Sequence, residues 1–194
     1  MAATAGPYGL IPVGLIGGRV FAGAFRQIKI ASAYGTNIFN GDVVDLTVLG
    51  TIEIETPDAA LDTIGIFMGC SYTDATLGFV QRQHWPASQV AADAVAYVCD
   101  DPFAVFKIQA DETLGQNSIG MNCALAAGAG GSTATGNSSV VLDGNTIGTE
   151  NTKPMRIVDF LDLDEVDSLF PNMLVMWNTT AAHRYLTITG LAAS

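Results

Sequence analysis

The 21 glycines of this chain, with its prolines and Asn-Gly and Asp-Gly pairs, cut the sequence into short apolar runs separated by turn signals. Short runs whose apolar and polar residues alternate suit strands lying half-buried on a sheet. Ile52 and Ile54 alternate with Glu53 and Glu55 in this way. Phe25–Ser32, Ile38–Leu46, Gly78–Trp85, Ala94–Cys99, Phe103–Gln109, Ile119–Ala124, Met155–Leu163 and Met173–Trp177 are further strand candidates, and Arg184–Thr189 is the last. Thr63–Tyr72 is a strand interrupted by Gly65 and Gly69, where a bend or bulge is expected. Asp100-Asp101-Pro102 is read as a hairpin turn, Asp143-Gly144 as a second turn, and Asp164–Phe170 as one helical turn ahead of Pro171. Residues 126–139, AAGAGGSTATGNSS, are read as a mobile surface loop. Together these predict an all-β fold, a small β-barrel or sandwich with an extended N-terminal arm and long surface loops.

The arm is residues 1–24, and residues 25–194 form a single β-rich domain. The first 24 residues hold Gly, Pro and Ala around the apolar groups Tyr8, Leu10, Ile11, Val13, Leu15, Ile16, Val20 and Phe21, with Arg19 as their one charge. Proline and glycine oppose a helix or a central strand there, yet the segment is too apolar for a solvated linker. It must lie against its own domain or a partner, so Tyr8, Leu10, Ile11, Pro12, Val13, Leu15, Ile16 and Phe21 are the candidate partner- or subunit-binding set. Removing residues 1–20 is expected to leave a folded domain.

Charge excludes several functions. Among 194 residues, eight are basic and the net charge is −11. Arg19, Arg26, Lys29, Arg82, Lys107, Lys153, Arg156 and Arg184 are scattered, whereas nucleic-acid binding needs them clustered. No apolar run reaches the ~18 residues of a membrane-spanning helix. The N-terminus has no basic flank and is broken by Pro7, Gly9, Pro12 and Gly14, so it is read as mature sequence. Cys70, Cys99 and Cys123 form no CxxC pair and are expected to be reduced, buried thiols of a protein made in a cytoplasm.

Catalytic patterns are missing. His84 and His183 have no HxH, HxxxH or HExxH partner and are read as surface or interface residues. No serine sits in a GxSxG elbow, and Gly128–Thr133 lacks the lysine of a phosphate loop. Asp159, Asp162, Asp164, Glu165 and Asp167 begin a calcium-like pattern, but Val166 occupies a ligand slot and no glycine follows. A solvated acidic rim is favoured. The triplets at Asn137 and Asn178 are read as accidental glycosylation matches. A sugar-binding or hydrolytic alternative would use Trp85, Trp177 and Tyr185 beside Asp159 and Asp162. No cofactor, metal site or enzymatic activity is expected.

The apolar arm, Phe39-Asn40-Gly41-Asp42-Val43-Val44, Ile64-Gly65-Ile66-Phe67-Met68-Gly69 and Tyr97-Val98-Cys99-Asp100-Asp101-Pro102 follow one another over about the first 110 residues. In this order the chain resembles the head decoration or cement proteins of tailed bacteriophages. The resemblance implies a β-rich virion protein made in the host cytoplasm, bound to the major capsid protein on the outer capsid surface. It also implies self-association, as trimers at local three-fold positions, and no catalytic residue. The alternative is another structural module such as a tail tube, a head fibre or an S-layer-like protein.

Overall fold

The computed structural model describes residues 4–58, 61–128, 130–178 and 183. Among them the regular structure is strand, apart from two short 3-10 turns at Gln116–Ser118 and Leu163–Glu165. One antiparallel sheet runs in the order β1 (Ile11–Leu15), β8 (Ala104–Gln109), β12 (Asn172–Trp177), β11 (Met155–Phe160), β9 (Asn122–Ala126), β10 (Val141–Gly148). The second runs β2 (Arg26–Lys29), β7 (Val95–Cys99), β5 (Gly65–Asp74), β3 (Val43–Leu46), β4 (Ile52–Ile54). Its remaining strand, β6 (Gly78–Arg82), pairs with the far half of β5. The fold is all-β, and of the two expected architectures it is the sandwich; there is no closed barrel.

Alternation along β3 and β5 creates two cores rather than one. Val43 and Ile66 face the first sheet, joining Leu10, Phe106, Ile157, Val175 and Trp177 in the core between the sheets. Their neighbours Val44 and Phe67 face the opposite way, into a second core with Ile28, Ile30, Ile52, Tyr72, Trp85 and Val98. A parallel bridge between Ile30 and Ile52 draws the two edges of the second sheet together, so this sheet curls around its own core. The expected irregularity in β5 is present. Its ladder with β7 slips between Phe67 and Cys70, and Gly69 has φ +128° with Arg82 O 2.9 Å from where a Cβ would stand.

Asp100-Asp101-Pro102 is not a hairpin turn. Both flanks of β7 are already paired, to β2 and β5, so the chain leaves the second sheet and β8 joins the first between β1 and β12. Asp143-Gly144 does not reverse the chain either. It lies inside β10, where Gly144 N donates to Asp111 Oδ1 at 2.8 Å and the ladder with β9 slips after Asp143. The expected helical turn at 164–170 is a 3-10 turn at Leu163–Glu165, with Asp162 Oδ1 accepting from Asp164 N. The strand expected at Arg184–Thr189 lies outside the described residues.

The arm meets its own domain early. Leu10 is fully buried in the core between the sheets, and residues 11–15 are the edge strand of the first sheet. Ahead of Leu10, Gly9 (φ +76°) and Gly41 (φ +96°) cross so closely that a Cβ on Gly41 would stand 2.9 Å from Tyr8 O. Leu10 N donates to Gly41 O at 3.0 Å across that crossing. Truncating residues 1–20 therefore removes part of the fold. Leu10→Ala is expected to cost about 2–5 kcal/mol as a core cavity. Gly41→Ala is expected to cost about 2–4 kcal/mol, combining a positive φ with backbone overlap. Urea unfolding of both variants measures these losses, and a wild-type midpoint for either contradicts the packing described.

Candidate interaction surface

The arm divides into an anchored half and a projecting half. Gly6 N donates to Gln109 Oε1 at 2.7 Å, and Gln109 Nε2 donates to Thr4 O at 3.1 Å. The Tyr8 hydroxyl donates to Asn172 Oδ1 at 2.7 Å, while Asn172 Nδ2 donates to the Glu165 carboxylate at 3.1 Å. Burial, with the Glu165 charge adding to it, pushes that hydroxyl up to about 12, and Lys107 Nζ lies 5.4 Å from the ring centroid. Tyr8 thus fastens the arm to its own domain. Ile11, Pro12 and Leu15 are half-buried against β8 or the core. Val13 is exposed where the ladder slips between Pro12 and Gly14.

Beyond Leu15 the arm leaves the sheet. Leu15 N donates to Arg19 O at 2.8 Å, closing a turn over Gly17 and Gly18, both with positive φ. Ile16 is exposed and its N–H donates to Phe103 O at 3.0 Å. Phe21 is half-buried on the core, with its ring 5.7 Å from that of Phe25. Val20 is 84% exposed, and Phe25 and Phe103 are exposed beside it in the chain or across the Ile16 contact. Of the eight expected residues, then, Val13 and Ile16 face outward, Leu10 is internal, and the other five are partly covered. Val20, Phe25 and Phe103 were missed. Val20 stands among the arm's apolar groups without being singled out, Phe25 opens a stretch read as an alternating strand, and Phe103 stands behind a turn read as a hairpin.

A second apolar group sits at the other end of the first sheet. Leu161, Leu163 and Leu169 are exposed on the loop between β11 and β12. The acidic run belongs to this loop, and three of its carboxylates serve the backbone. Asp159 Oδ1 accepts from Phe160 N at 2.9 Å, Asp162 caps the 3-10 turn, and Glu165 holds Asn172. A third group, Leu77, Phe79 and Val90, is exposed around the β5–β6 hairpin.

The remaining chemistry is structural. Trp85 and Trp177 are 0% and 1% exposed, one in each core, so neither supplies a sugar-stacking platform. Tyr185 lies outside the described residues. Among the described residues no three His, Cys, Asp or Glu side chains converge to hold a metal ion. The three cysteines are free and buried, and burial pushes each thiol up to about 12. Residues 126–139 are not a wholly solvated loop. Gly136 O accepts from Asn40 N, Ser138 N donates to Asn40 O, and Ser138 is buried. Asp42 is buried beneath this contact, with its carboxylate accepting from Phe39 N at 2.7 Å and from Ser138; burial raises it above the ordinary range.

Comparison of the chain with protein-family models, with curated proteins and with solved structures finds no match in any of the three.

The two histidines differ from their expected placement and from each other. His84 is partly covered and stacks on Phe39 at 5.6 Å, and burial lowers its basicity. His183 is not a surface residue: it is fully buried, edge-on to Trp177 at 5.8 Å. Burial lowers its pKa to about 4, against the opposing pull of Asp100 and Asp101. Because the folded value lies below the unfolded 6.5, its stabilising effect is complete above 6.5 and is lost as pH falls toward 4. That loss is on the order of 3 kcal/mol at most. Urea unfolding between pH 7 and 4.5 is expected to show this slope in the wild type and a flatter one in His183→Gln; equal slopes contradict the assignment.

Proposed function

We propose that this chain is a structural virion protein that binds the outer surface of a tailed-phage capsid and stabilises it as a decoration or cement protein. It is not an enzyme in this reading; it assembles as a homo-oligomer, a trimer on local three-fold positions, and its partner is the major capsid protein. The observation that carries the proposal is the projecting half of the arm. Ile16, Val20 and Phe25, with Phe103 hydrogen-bonded to Ile16, are exposed apolar residues. Grouped exposed apolar residues mark contacts with other macromolecules. The two tryptophans and the buried histidine, which a small-molecule site would use, are taken up by the cores.

Repetition suits such a surface. Copies joined in one oligomer bind a regular lattice at several points, and each further contact forms at high effective concentration. The net charge of −11 keeps unassembled copies apart in solution.

Decoration-free capsids mixed with the wild-type protein test the reading. The protein is expected to co-sediment with them, saturate at a ratio set by the lattice, and raise the temperature at which the shells break open. An obligately monomeric variant is expected to bind at least tenfold more weakly. Wild-type protein that stays in the supernatant at saturating concentration, or that forms stacked rings or tubes by electron microscopy without capsids, overturns it in favour of a tail-tube or fibre module.

A further inference from the structure

The projecting arm and the leucine loop are related by position. Ile16 is hydrogen-bonded to Phe103, immediately before β8 begins at Ala104. Leu161 N donates to Asn172 O at 2.9 Å, and Asn172 pairs with Gln109 at the end of β8. The two apolar groups therefore stand at opposite ends of one six-residue strand, about 20 Å apart at the usual rise per residue. Within one copy they do not meet.

Their charges are complementary. The arm side has no acidic residue before Asp42, and Arg19 is exposed between Ile16 and Val20. The loop side carries Asp159, Asp162, Asp164, Glu165 and Asp167, with no Lys or Arg from 157 to 183. Asp164 is exposed next to Leu163, which is itself 70% exposed. The loop stretch carries only carboxylates, whereas at the arm face Arg26 offsets Asp100 at 2.8 Å, Asp101 accepts from Phe103 N, and Arg19 adds an exposed positive charge. A chain of net charge −11 repels its own copies at most approaches, so this pairing is favoured over like-with-like contact.

We infer that the arm face of one copy, Val13, Ile16, Arg19, Val20 and Phe25, docks on the Leu161–Leu163–Leu169 loop of a second copy. The contact is head-to-tail, because the two faces differ and lie at opposite ends of the first sheet. Such a contact closes into a ring where its rotation allows, and otherwise continues as a chain. The inference rests on the reading of the arm as a subunit contact and names its partner, but its test uses no capsid.

Light scattering coupled to size exclusion measures it. Wild-type protein is expected to elute as an oligomer, and Val20→Asp and Leu163→Asp each to weaken association at least tenfold, with thermal midpoints close to the wild type. A mixture of the two variants is decisive. One retains an intact loop and the other an intact arm, so together they are expected to form a heterodimer that grows no further. A monomeric wild type, an oligomer indifferent to either substitution, or a mixture that stays monomeric overturns the inference. Each of these outcomes leaves capsid binding to be judged separately by co-sedimentation.

Discussion

Gly9 and Gly41 meet backbone to backbone, and much of the fold is assembled around that crossing. The turn that contains Gly41 receives the arm through Leu10 N and donates from Gly41 N to Phe67 O in β5 at 2.8 Å. One residue earlier it takes up the 132–138 loop, with Asn40 N donating to Gly136 O. One residue later Asp42 is sealed beneath Ser138 and Phe39 N. Three segments distant in sequence are thus pinned to Asn40, Gly41 and Asp42. A side chain at either glycine would separate them, since their Cβ positions overlap backbone on the opposing strand. The carboxylate beneath gains two hydrogen bonds in return for its loss of water, the usual condition for tolerating a buried charge.

This arrangement explains why the surface is left aliphatic. The second sheet curls so far that Trp85 and Tyr72 pack edge-on at 5.4 Å inside it, while Trp177 meets Phe106 at 5.6 Å between the sheets. The two cores take up both tryptophans with Tyr72, Phe67, Phe106 and Phe160. What remains outside is Val, Leu, Ile and a few Phe on loops and strand ends. Such groups bind through shape and area rather than through directed chemistry.

The strands were legible because their alternation is local. Ile52 and Ile54 carry their period within a few residues, and the runs from Val95 to Cys99 and from Ala104 to Gln109 are short, largely apolar stretches on either side of a turn signal. Gly65 and Gly69 marked a bulge for the same reason. The pairing of strands was not legible. Asp-Asp-Pro has the chemistry of a turn whether the next strand returns beside its predecessor or crosses to another sheet, and only the occupied flanks of β7 decide. Residues 126–139 look solvated in composition, but Ser138 is drawn inward by Asn40 and Asp42, nearly a hundred positions away. The candidate surface suffered likewise. Apolar character marked residues 8–21, but Leu10 and Val20 differ only in what the rest of the chain brings to them.

The place of the arm in the first sheet sets an order of events during synthesis. Ile11 pairs with Lys107, and Leu15 with Ala104, so β1 has no partner until β8 has followed it from the ribosome. Leu10 likewise waits for Phe106 and its neighbours to enclose it. Pairings this remote close slowly, and apolar segments left open in the meantime are prone to wrong contacts. Pro12 and the slipped ladder at Val13 make this segment a poor template for another strand. The same irregular, glycine-rich arm that projects from the finished protein is thus protected from misjoining while the chain is still emerging.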